Sequence, residues 1–235
     1  MTARRLALLL GVVVLLGLGI RVASSLLEEP SAPTATRPDG LSLSLGVPAG
    51  QDPDAHLRSA SERLVQTAGQ QPEARHPALV TLREPLRPEQ AADLLRTGRV
   101  QLERGYLRAD VPGKPEELTF QTPGEVLPGL QALFRATATR KAEDQRSLDR
   151  AAANADDETV REQLQQAAET NGAEAARYAQ GCPCVAALLV DGRAADLARL
   201  VELPVVRGVE LAPAGADVEG LRVRPLLAAA PGAAR

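Results

Sequence analysis

The chain has 235 residues, with 27 lysines and arginines against 30 acids and only two tyrosines, two phenylalanines and no tryptophan. Three of the cations, Arg4, Arg5 and Arg21, sit in the N-terminal leader, which leaves 24 against 30 in the remainder, about six net negative charges. An acidic body so poor in aromatics speaks against nucleic acid, which asks for a basic groove and stacking faces, and against sugars, which lean on exposed aromatic rings.

Leu6 to Ile20 form fifteen consecutive residues with no charge and no polar side-chain atom, directly behind Arg4 and Arg5. A positive n-region before an apolar run is read by an export pathway, and flanking arginines stay on the cytoplasmic side. A bilayer core about 30 Å thick asks for roughly 20 helical residues. Arg21 can snorkel, and Val22, Ala23, Leu26 and Leu27 extend the run. The spacing therefore predicts a transmembrane signal-anchor over residues 1–27. Cleavage at Ala23-Ser24-Ser25 is the competing reading, and no cysteine is near enough for a lipoprotein anchor. Both readings put residues 28–235 outside the cytoplasmic membrane; a third, in which the run is a buried globular helix, would not.

Residues 28–75 are expected to be a linker, rich in Pro, Ser, Thr and Gly to about Gly50. One short helix is expected within it over Asp54–Gln66, on Leu57, Leu64 and Val65. An ordered α+β domain is expected over 76–227 and a disordered tail over 228–235. Ala78–Leu82 reads as a strand. Glu89–Arg96 reads as a helix, with Pro88 in its first turn and Gly98 just past its end. Val100 and Leu102 open a second strand towards Val111. The order recurs downstream: strand Val185–Val190, a turn at Asp191-Gly192, helix Arg193–Val201, Pro204, then strand Val205–Leu211. The string Ala-Ala-Asp-Leu-x-Arg stands in both helices, at 91–96 and 194–199. Two βαβ units, each with an apolar face it cannot bury alone, predict a ferredoxin-like sandwich. Their first strands are expected side by side, and parallel, in the middle of one sheet.

Between the units, residues 123–180 predict an antiparallel helical hairpin. Val126, Leu130, Leu133, Phe134, Ala138 and Leu148 recur at helical spacing. Asp156 and Asp157 offer N-caps for a second stripe through Val160, Leu164, Ala167, Asn171, Ala175 and Tyr178. Helices of about 25 residues would reach roughly 35 Å, longer than the small sheet beneath. Such an arm either covers the open sheet face or projects as a docking element for another helix.

Chemistry is offered only by Cys182-Pro183-Cys184. Exported paired thiols tend towards a disulfide. The competing readings are a pair of inert thiols, a bridge to a partner chain, a soft-metal site for copper(I), and thiol redox catalysis, for which no exposed helix N-terminus is at hand to lower a thiol pKa. His76, before the first strand as Cys182 is before the third, would join the cysteines as a third ligand if the strand starts are neighbours. No Gly-x-Ser-x-Gly, zinc His-Glu or phosphate-cradling motif is present. His56 falls in the linker, and Glu116-Glu117 reads as a solvated turn. The expectation is a non-catalytic protein with no cofactor.

Leu200 before Pro204 and then Val205-Val206-Arg207-Gly208-Val209-Glu210-Leu211 resembles the end of subtilisin-type propeptide or inhibitor domains, where a helix and a V-x-x-V strand close a ferredoxin-like sheet. The resemblance covers about thirty residues and implies a fold more than an activity. No protease follows and a long hairpin interrupts the pattern, so no inhibitory residue carries over. The sequence thus points to a single-pass extracytoplasmic module that recruits or senses another envelope protein. The alternative is a copper- or thiol-handling protein built on Cys182 and Cys184.

Overall fold

The computed structural model describes residues 44–113, 116–122, 124–213 and 216–226, so the leader, residues 28–43 of the expected linker and the expected tail at 228–235 lie outside the described residues. The chain runs through β1 (Ser44–Gly46), α1 (Pro53–Gln70), β2 (Arg75–Leu86), α2 (Pro88–Gly98), β3 (Gln101–Arg108) and β4 (Glu117–Phe120). It continues through α3 (Val126–Ala153), α4 (Glu158–Ala179), β5 (Val185–Arg193), α5 (Ala194–Val201), β6 (Val206–Leu211), a 3-10 turn at Val218–Gly220 and β7 (Arg222–Arg224). This is a mixed α+β protein. Among the described residues no helix is long and apolar enough to cross a membrane.

The main sheet has the order β4-β3-β5-β2-β6, and every neighbouring pair is antiparallel. The first strands of the two βαβ units, β2 and β5, are the expected central neighbours, but their expected parallel direction is wrong. The reason is the chain path. Each βαβ crossover keeps its own two strands parallel, and each unit interleaves with the other, so neighbours from different units must oppose. Ala78, Val80 and Leu82 of β2 and Leu188 and Val190 of β5 bury one face under the helices, together with Leu94, Leu95, Leu197 and Leu200. Leu79, Tyr106, Ala187 and Leu189 point the other way, under Leu45 of the small parallel β1–β7 ribbon and Leu221 just before β7. Alternation along each strand supplies both layers.

Three boundaries differ from expectation. Structure that belongs to the domain is already present ahead of His76, in β1 and α1, because α1 is a core element. Asp52 caps it, accepting from the Ala55 N–H at 2.7 Å, and Pro53 occupies its first turn. Leu57, Ala60 and Leu64 are buried, each leucine contributing about 1.5–3 kcal/mol. The Ser61 hydroxyl oxygen accepts from the Val209 N–H at 3.2 Å, so α1 seals the exposed edge of the sheet at β6. Gly208 permits this approach, since a Cβ there would lie 2.9 Å from Leu57. The second difference is Gly98, which ends α2 from inside while Arg99 takes the left-handed cap at φ 54°. A Cβ at Gly98 would stand 2.4 Å from the Leu200 side chain, so close packing of α2 on α5 claims the glycine that a cap would otherwise use. Third, β5 runs on through Asp191-Gly192, where a turn was expected, because β2 pairs with it as far as Arg75↔Arg193.

Candidate functional site

The hairpin forms as its stripes dictate. α3 has 28 residues and α4 has 22, with Asp157 capping α4 by accepting from the Val160 N–H at 3.1 Å. At about 1.5 Å per residue α3 is roughly 42 Å long. The two helices pack chiefly on each other. At the base, Phe134 meets Tyr178 edge-on with ring centres 5.5 Å apart, and Leu130 joins the main core. From Leu148 to Gln165 every polar side-chain contact among the described residues stays inside the hairpin. The outer part of the arm therefore projects.

Where arm and sandwich meet, two charged side chains are buried inside the seam: Lys141, 3 % exposed, and Glu174, 1 % exposed. The Lys141 Nζ lies 2.6 Å from Glu174 Oε2 and 2.7 Å from Glu116 Oε2. The other Glu174 oxygen accepts the Glu116 N–H at 2.9 Å. Arg140 adds a contact to Glu116 at 3.4 Å. Both partners of the buried pair are thus satisfied, which is the condition for tolerating charge in a core. Desolvation works against the Lys141 ammonium, but hydrogen bonds to Glu116 and Glu174 outweigh it and hold its pKa above the ordinary lysine value. Burial, then the charges of Glu174 and Glu116, raise the Tyr178 phenol. A lysine held so firmly protonated is a poor nucleophile.

Beside this network a cleft of about 740 Å³ opens along the hairpin. Leu148 and Ala167 line it together with Asp144, Ser147, Gln163 and Asn171, and Lys141, Glu116 and Glu174 close its base. Asp144 has no ion-pair partner among the described residues. Carboxylates therefore outnumber cations here. Residue reading missed this site because Glu116 looked like a solvated turn. The available signal was Lys141, one of only two lysines in an arginine-rich chain, on the same inward stripe as Phe134 and Ala138.

The residues singled out for metal chemistry do not meet. Cys182 and Cys184 form a disulfide with their Cα atoms 5.3 Å apart, and both are buried. The Cys184 N–H donates to Leu86 O at 3.1 Å, at the far end of β2 from His76. His76 sits opposite Gly192, at the end of β5. Ten strand residues separate the two places, roughly 30 Å at about 3.3 Å each. The expected site of His76, Cys182 and Cys184 fails because β2 and β5 are antiparallel. Among the described residues no group of three or more His, Cys, Asp or Glu could hold a metal ion. His56 is placed on α1 instead of in a linker, with Nε2 3.4 Å from Glu210 Oε1, whose second oxygen accepts the Gly46 N–H at 2.8 Å. That junction ties α1, β6 and β1 together.

No family model, curated protein or solved structure matches this chain, and the resemblance to subtilisin-type propeptides rests on the second βαβ unit alone.

Proposed function

We propose that this protein is a non-catalytic docking module of the bacterial cell envelope. In this reading the Leu6–Ile20 leader anchors it, N-terminus inside, and the domain works on the extracytoplasmic side. The sandwich is ferredoxin-like, a reading supported by the central position of β2 and β5 and by both crossover helices lying on one face. The observation that carries the function is the arm. A hairpin of two helices leaves Leu148, Leu164 and Ala167 half-exposed along its seam, and a third helix laid between α3 and α4 would cover them. Asp144 and Glu116 face that lane, so the occupant is an amphipathic helix of another envelope protein with small apolar residues on one face and a basic edge.

Copper or thiol handling has no geometric feature in its favour, since both sulfurs are joined and buried. The deciding experiment places a photocrosslinker at Gln163 in the full chain, in cells, with a control at exposed Arg63 on α1. A discrete adduct from Gln163, mapping to a helical segment and lost on Ala167→Glu, is expected. Adducts indistinguishable from those at Arg63, or indifferent to Ala167→Glu, would overturn the proposal.

A further inference from the structure

A second groove lies over the β6 edge that α1 seals. Its volume is about 650 Å³, within the range that holds a small ligand. Leu57 and Val65 of α1 and Val201 of α5 supply an apolar strip. Val65 is 55 % exposed, the most exposed large hydrophobic among the described residues. Around this strip stand Arg58 from α1, Arg83 from β2 and Arg207 from β6. They are not equivalent. Arg207 is held by Asp54, with Nε and a terminal nitrogen 3.0 and 2.7 Å from the same carboxylate oxygen. Arg58 and Arg83 make no ion pair among the described residues. The Ser61 oxygen is committed to the Val209 N–H, and no acceptor among the described residues takes its proton.

An apolar strip ringed by two guanidinium groups outside any ion pair among the described residues and an unused hydroxyl proton is complementary to a short aliphatic chain ending in an anion. We infer that this groove binds an aliphatic carboxylate, the chain on Leu57, Val65 and Val201 and the head group between Arg58 and Arg83. Arginine suits the task because its planar fork meets both carboxylate oxygens while its stem adds apolar cover. Asp54 and Glu62 do not cancel the site, since Asp54 is engaged by Arg207 and Glu62 leaves the lining with one net positive charge. This inference is independent of the hairpin cleft and stands or falls apart from it.

The test uses the full chain in discs of zwitterionic lipid, with methyl signals of Val65 and Val201 followed during titration with octanoate, octylammonium and acetate. Octanoate is expected to shift both methyls saturably. Acetate should bind at least 10-fold more weakly for want of a chain, and octylammonium, which enters lipid as readily, should leave both signals in place. Arg83→Ala and Val65→Ser, both at exposed positions, should each weaken octanoate at least 5-fold without moving the thermal midpoint. Equal responses to octanoate and octylammonium, no saturable shift, or undiminished affinity in both variants would overturn the inference.

Discussion

At the scale of single residues, the Lys141–Glu174 pair is the most consequential commitment the chain makes. Truncating one partner strands the other in a core it cannot leave. Lys141→Met should therefore cost about 3–5 kcal/mol in urea unfolding, whereas Lys141→Met with Glu174→Leu should recover most of it. A double variant as unstable as the single one would show that the ammonium does more than neutralise Glu174. The pH dependence follows from the same side chains. Lys141, Tyr178 and Tyr106 all have folded values raised above their ordinary ones, Tyr106 chiefly by burial. For each, folding favours the protonated form. Their stabilising contributions are complete below the unfolded values, about 10 for tyrosine and about 10.4 for lysine, and are lost as pH climbs through the folded ones. The urea midpoint should fall steeply above about pH 10, and the double variant should show a shallower fall. Arg99 offers the opposite sign. As a non-glycine residue at φ 54° it is strained, so Arg99→Gly should stabilise the domain by about 0.5–1 kcal/mol.

At the scale of elements, the stripes of α3 and α4 were legible because each keeps its period over several turns, from Val126 to Leu148 and from Val160 to Tyr178, and because Asp157 marks the start of α4 as its N-cap. β4 was not legible. Its four residues, Glu117–Phe120, carry too little pattern, and they form a strand because β3 offers an edge and Gly105 makes room for the Phe120 ring. The core role of α1 was also missed. Its buried stripe includes Ala60 and Ser61 between Leu57 and Leu64, and a serine whose oxygen serves a distant strand looks polar in sequence. These differences locate the independent parts of the molecule. Gln145 packs against Gly172 across the seam, outside the Lys141–Glu174 network, so the arm can be cut there. Replacing residues 146–171 by a short Gly-Asn loop should shift the thermal midpoint by only a few degrees while abolishing any adduct formed from the hairpin. Global unfolding on truncation would mean that the arm is a support of the sandwich.

At the scale of the whole molecule, pairwise patterns revealed which strands neighbour each other but not their sense. The repeat Ala-Ala-Asp-Leu-x-Arg makes the two units comparable, and comparability suggested equal direction. Interleaving imposes the reverse, and that reversal alone separates His76 from the cysteines. What the cysteines do instead bears on where the chain works. A ring of three residues contributes about 1.6 kcal/mol by loop-closure entropy, so Cys182→Ala with Cys184→Ala should weaken the fold by that amount and leave hairpin adducts intact. Formation of the bond needs an oxidising compartment. Once formed, its sulfurs are shielded, so its state records where folding took place. Chain produced with its leader and trapped by denaturing alkylation should show no modified cysteine before reduction. Chain produced without residues 1–27 in a reducing cytosol should show two. Two free thiols in the leader-bearing chain, together with a C-terminal tag that external protease cannot reach from outside the cell, would remove the envelope from the proposed function and leave the arm to find its partner in the cytoplasm.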